Sequence, residues 1–208
     1  MIKLHGRGAG ADKFFRRIVM EKLKEKREMV NVFLGYKNRM TPPIINRKIE
    51  EEMKLIEDYL EIEFEYKVFQ ENQDCYALVI YTVGNKIEHL MNCYTEKAES
   101  IRALIADKLS VLALDCIQEL IVDEIESKLG LYVVKEWYPG NQGFPIENQE
   151  IILKRMDSVC SISVNSYCQL FPMKSVALKL ELGEKATGHV RCMDCDNPCE
   201  LKIEATHD

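Results

Sequence analysis

A helical pattern runs from about Lys97 to Leu129 and sets the scale of any domain this chain can build. Ile101, Leu104, Ile105, Leu109, Leu112, Cys116, Leu120 and Ile121 recur at helical spacing as one apolar stripe. At 1.5 Å per residue an unbroken helix of this kind spans about 45 Å, longer than a small domain is wide. Gly130 is a natural stop at its C-terminal end.

Shorter elements surround it. Residues 12–29 read as a helix, with Phe14, Phe15, Ile18, Val19 and Leu23 on one face and Arg16, Arg17, Lys24 and Arg27 on a solvated one. The break GYKNRMTPPII contains Thr41 as a helix cap and two prolines that stop any continuation from upstream. A second helix is expected over 46–60. EIEFEYKVF (61–69) alternates as a half-buried strand does, and CYALVIYTVG (75–84) reads as a buried strand. LYVVKEW is a short strand, IENQEIILKRM a helix, and CSISVNSYCQLF and KSVALKLELG two further strands. Helices and strands mix without regular βαβ alternation. This favours an α+β domain with a mainly antiparallel sheet flanked by helices. Three segments are expected: an N-terminal helical segment at 1–40, the α+β domain at 41–186, and a Cys-rich tail at 187–208.

The net charge of −6 and the pI of about 5.4 argue against non-specific nucleic-acid binding. No apolar run is long enough to cross a membrane, and the N-terminal residues lack a signal core. A cytoplasmic protein is expected, whose eight cysteines are reduced or metal-bound. HGRGAG (5–10) lacks the preceding strand and following Lys-Ser/Thr of a phosphate loop, and reads as a flexible turn. His5, His89, His189 and His207 are scattered and read as surface residues. Asp107, Asp115, Asp123 and Glu124 fall on the polar side of the long helix and read as solvated. No Ser-His-Asp or Cys-His catalytic pattern is present.

Two features carry chemistry. The stretch RCMDCDNPCELK places Cys192, Cys195 and Cys199 around a turn. The two-residue gap between the first pair lets two thiolates grip one metal, and the third adds a ligand. Zinc or an iron–sulfur cluster would fit, with Cys168, Cys160 or His189 as the fourth ligand, or an open position; the alternative is free thiols on a mobile tail. Cys75, Cys93 and Cys116 have apolar neighbours and are expected in the core. The loop WYPGNQGFPIENQ (137–149) is the second feature. Its glycines allow close approach to the backbone, and Trp137, Tyr138 and Phe144 offer flat faces for a heterocycle or a cation.

Three stretches together resemble the activation domain of vitamin B12-dependent methionine synthase, in free-standing form. They are IRALIADKLSVLALDCIQELIVDEIE (101–126), WYPGNQGFPIENQEIIL (137–153) and FPMKSVALKLELG (171–183). The second stands against the family's Arg-x-x-Pro-Gly-Tyr pattern and the third against its Pro-x-x-Ser-Val strand motif. The resemblance covers about residues 75–183. It implies S-adenosylmethionine binding and docking on a cobalamin-dependent methyltransferase or other corrinoid protein. There cob(II)alamin is reduced and remethylated with an electron from a redox partner. By position it implies a ligand site at Glu136, Tyr138, Pro139, Gly140, Asn141, Lys174 and Ser175. Glu136 stands where the family has arginine, and Asn141 where it has tyrosine. Lys135 or Lys174 replaces that arginine, or the ligand differs or is absent. Two other readings stay open: a docking or regulatory module without ligand, and a small metal-binding redox protein built around the C-terminal cysteines.

Overall fold

The computed structural model describes residues 5–8 (backbone), 13–71, 74–157 and 160–186. Five strands form one antiparallel sheet in the order β1-β2-β3-β7-β4. They are β1 His5–Gly8, β2 Glu63–Glu71, β3 Asp74–Thr82, β4 Tyr132–Trp137 and β7 Ser175–Gly183. The helices α1 (Lys13–Glu25), α2 (Arg27–Phe33), α3 (Pro43–Ile56), α4 (Lys86–Glu96) and α5 (Ser100–Leu129) build the layer on one face. The short helix α6 (Asn148–Lys154) and a small hairpin of β5 (Ser163–Val164) and β6 (Leu170–Phe171) cover part of the other. The expected α+β class with an antiparallel sheet is the one observed.

Strand alternation divides the core between the two faces. On β3, Ala77, Val79 and Tyr81 join the helical layer, while Tyr76, Leu78 and Ile80 pack with Ile152, Met156, Ile162 and Leu170 on the α6 side. α5 contacts α1, α2, α3, α4, β3 and β4. It is therefore buried on several sides, from Ile105 and Ala106 through Cys116 and Ile117 to Ile125. That central position explains why its apolar residues exceed a single stripe. Ile101 and Leu104, expected inside, are 49% and 45% exposed.

Other expectations need correction. The N-terminal turn is partly strand, since His5–Gly8 pairs with β2. One basic helix at 12–29 becomes α1 and α2, broken at Lys26. Lys26 turns toward α5, where its ammonium lies 2.5 Å from both Asp115 and Glu119. α3 begins at Pro43, not at 46. Pro42 is its N-cap, and Thr41 only accepts a bond at its carbonyl from Asn46. The prolines thus start this helix rather than merely ending the segment before it. α4 is an addition to the expected elements, and its buried Ile87, Leu90 and Tyr94 recur at helical spacing. CSISVNSYCQLF is not one strand but two short ones around a turn in which Asn165 Oδ1 accepts the amides of Tyr167 and Gln169. Cys116 is buried as expected, but Cys75 is half-buried and Cys93 exposed. Val19, Met20, Leu23 and Val30 of the N-terminal helices share the core cluster of α5 and the sheet.

Candidate functional site

The loop after β4 is built by tight turns. The Gly140 amide donates to the Phe144 carbonyl at 2.8 Å, and the Phe144 amide to the Asn141 carbonyl at 3.0 Å. Gly140 and Gly143 have φ of 97° and 79°, the left-handed region that glycine occupies without strain. A Cβ on Gly140 would lie 3.3 Å from the end of Ile146. Trp137 and Phe144 pack at 6.0 Å between ring centroids, and the Lys135 ammonium sits 3.9 Å over the Trp137 ring. Trp137 Nε1 and Gln149 Oε1 are buried without a hydrogen-bond partner among the described residues, each at a cost of about 1–3 kcal/mol.

Alternation along β4 sends its side chains to opposite faces. Trp137 stands opposite Lys179 and Glu136 opposite Leu180. A bulge between Val133 and Lys135 shifts the register before them, and Gly183 leaves room for Val134 where a Cβ would come within 2.9 Å. Glu136 accepts a hydrogen bond from the Tyr138 hydroxyl at 2.6 Å. That hydroxyl accepts from Gln118 Nε2 at 2.8 Å, and Gln118 Oε1 accepts from Tyr81 at 2.8 Å. Glu136 therefore ends a polar chain that starts inside the core.

Lys174 immediately precedes β7, and Ser175 opens it. The Lys174 ammonium lies 2.5 Å from Asp107, and Ser175 bonds Thr82 Oγ1 and the Pro172 carbonyl. Burial works to raise the Asp107 pKa, but the hydrogen bonds and charges of Lys174 and Lys108 outweigh it and hold the carboxyl below its ordinary value. Glu88 of α4 accepts the backbone amides of Met173 and Lys174. Asp107, Asp115 and Glu124 are thus paired, to Lys174, Lys26 and Tyr66, not simply solvated.

The expected ligand residues gather at one end of the sheet, but not at one point. Glu136 meets Tyr138 directly, and Tyr138 in turn meets Gln118. Pro139, Gly140 and Asn141 form the turn. Lys174 lies five residues before Lys179, roughly 16 Å of extended chain from the Trp137 pair. Because β4 pairs with β7 only from Lys179 onward, the β7 edge from Ser175 to Leu178 has no strand beside it on that side among the described residues. This edge joins the two groups. Gln118 escaped sequence reading, although a glutamine inside the stripe of α5, 3% exposed, is a signal of a buried polar network.

Among the described residues no group of three or more His, Cys, Asp or Glu is placed to hold a metal. Cys192, Cys195, Cys199 and His189 lie outside them. Nor does any described helix have the length and apolarity to cross a membrane.

No family model matches the chain. No curated protein matches it either. Its fold matches a solved structure, the crystal structure of the MetH reactivation domain bound to AdoHcy, with a TM-score of 0.65 and 7% identity over 90% of this chain and 81% of that one. At this identity the likeness is one of fold: the chain is an α+β domain similar in architecture to the MetH reactivation domain.

Proposed function

We propose that the chain binds S-adenosylmethionine at the 137–144 loop and serves the reductive remethylation of a corrinoid on a separate methyltransferase. The observation that carries this reading is the loop itself. Two left-handed glycines, an aromatic pair and the unpaired β7 edge meet at one end of the sheet. They do so in a fold shared with a protein crystallised with AdoHcy. Bound there, S-adenosylmethionine would supply the methyl group. The chain's own residues would hold and orient it: Trp137 and Phe144 for a flat ring, and Pro139, Gly140 and Asn141 for backbone contact. Lys135, beside the loop and without an ion pair among the described residues, suits the ligand carboxylate better than Lys174, which Asp107 already engages. The buried orphan atoms of Trp137 and Gln149 favour a loop that resettles when occupied.

Calorimetric titration of S-adenosylmethionine into the wild type and Gly140→Trp tests this. Micromolar binding is expected for the wild type. The variant, which puts a side chain at φ 97° and against Ile146, should weaken it about a hundredfold, or roughly 2.7 kcal/mol. No heat at millimolar ligand would overturn the ligand reading.

One observation favours a second reading. Glu136 is spent on Tyr138 and supplies no cation where the related family has arginine. A docking module of a corrinoid system without a ligand would retain the fold and lose that charge. Under either reading Cys192, Cys195 and Cys199 are proposed to hold a metal: an iron–sulfur cluster, which would pass an electron to the docked cobalt, or a redox-inert zinc, which would only shape the segment. Anaerobic reconstitution followed by metal analysis should find stoichiometric iron or zinc that is lost in Cys195→Ser. A colourless, metal-free protein would remove this part.

A further inference from the structure

A cleft of about 700 Å³ opens on the β2–β3 side of the same sheet end, between the start of α4, the residues leading into β2 and the β5–β6 hairpin. Its size falls in the range of small-molecule sites, about 300–1,000 Å³. Many of its charges are already satisfied. Glu61 pairs with Lys86 at 2.8 Å, Glu63 accepts the amide and hydroxyl of Ser161, and Glu88 accepts backbone amides. Four lining groups have no side-chain partner among the described residues: Asp58, Asn85, His89 and Ser163. Asn85 occupies the N-cap of α4 and yet makes no side-chain cap bond, so its amide is available. Phe171, 41% exposed, and Pro172 give the cleft a flat apolar wall.

The inventory selects a ligand. Four carboxylates, Asp58, Glu61, Glu63 and Glu88, face two permanent cations, Arg16 and Lys86. A phosphate or carboxylate would meet net negative charge. A neutral ring bearing hydroxyl groups meets what is there: an aromatic wall for its flat face, a carboxylate for a pair of hydroxyls, and an amide and an imidazole for its remaining polar edge. A second cavity among the described residues, beneath Phe144 and α6, differs: Arg155 is tied to Tyr76 and Glu71, and Asn148 to the Pro145 carbonyl. We propose that the α4–hairpin cleft is a second binding site, for an uncharged nucleoside-like ligand, separate from the 137–144 loop.

Adenosine, adenosine monophosphate and ribose would be titrated into the wild type, His89→Trp, Asp58→Asn and Gly140→Trp, with circular dichroism confirming the fold of each. Adenosine should bind at least about tenfold more tightly than its monophosphate, because the added charge faces the carboxylates. Ribose alone should bind more weakly than adenosine, for want of the ring that stacks on Phe171. His89→Trp, which fills the cleft from an exposed position, should abolish adenosine binding and leave any S-adenosylmethionine binding intact. Asp58→Asn should weaken it, and Gly140→Trp should leave it unchanged. Equal or tighter binding of the monophosphate would overturn the proposal. So would adenosine binding lost in Gly140→Trp but kept in His89→Trp, which would place it at the loop. Absence of adenosine binding at millimolar concentration would do the same, whatever the loop binds.

Discussion

Arg102→Met should lower the unfolding free energy by about 3–5 kcal/mol, the usual loss when one partner of a buried ion pair is removed. Glu52 of α3 is 1% exposed. Its carboxylate is held by Arg102 Nε of α5 at 2.5 Å and by the Tyr94 hydroxyl of α4 at 2.7 Å. The guanidinium also lies 4.5 Å over the Tyr94 ring. Burial and the adjacent Glu52 push the Tyr94 phenol far above its ordinary pKa, so the tyrosine stays a donor at any working pH. Removing Arg102 leaves a negative charge out of water with one neutral donor. For a chain of this size the loss corresponds to a fall in Tm of roughly 6–20 °C. Denaturant midpoints would measure it. The double variant Glu52→Leu, Arg102→Met should recover much of the loss, because it removes the stranded charge as well as its partner. A single-variant loss below about 1 kcal/mol would mean that the pair behaves as a surface one.

Gly84→Ala is the other large effect, expected at about 2–5 kcal/mol. Two causes add. Gly84 has φ 81°, which costs an L-residue about 1–2 kcal/mol. Its Cβ would also come within 2.5 Å of Glu61 Cβ and 3.0 Å of the Glu61 carbonyl, an overlap typical of overpacking at about 1–3 kcal/mol. Gly130→Ala is the natural control. Gly130 caps α5 at φ 64°, but nothing lies within 4 Å of a Cβ there. It should lose only the first contribution. Equal midpoints for the two variants would show that the Glu61 side relaxes away. Because Gly84 and Glu61 line the second cleft, Gly84→Ala should also weaken any ligand bound there.

Much of the domain is legible in the order of residues. The stripe of α5 and its stop at Gly130 locate the long helix to within a few residues. β2, β3, β4 and β7 announce themselves by alternation or by β-branched runs. The turn at 138–144 follows from its glycines, whose positive φ is a local property of the backbone. These signals are short-range, so periodicity and turn chemistry capture them. The shortest elements did not show in that way: β1 has four residues, and β5 and β6 have two each. Their existence depends on what they pack against.

The site divides along the same line. Residue identity alone placed Trp137, Tyr138, Gly140 and Phe144 together, because they are consecutive or nearly so. It could not show that Tyr138, which claims Glu136, would itself be held by Gln118, or Lys174 by Asp107, since those partners lie 20 and 67 residues away in the chain. Nor could it reveal a cleft joining Asp58, Asn85, His89 and Ser163, drawn from three separate segments. Local conformation is written in neighbouring residues. Which charges are neutralised, which edge is left open and which polar groups face an unfilled space depend on contacts across the chain, and these exist only once the sheet and its helices have packed.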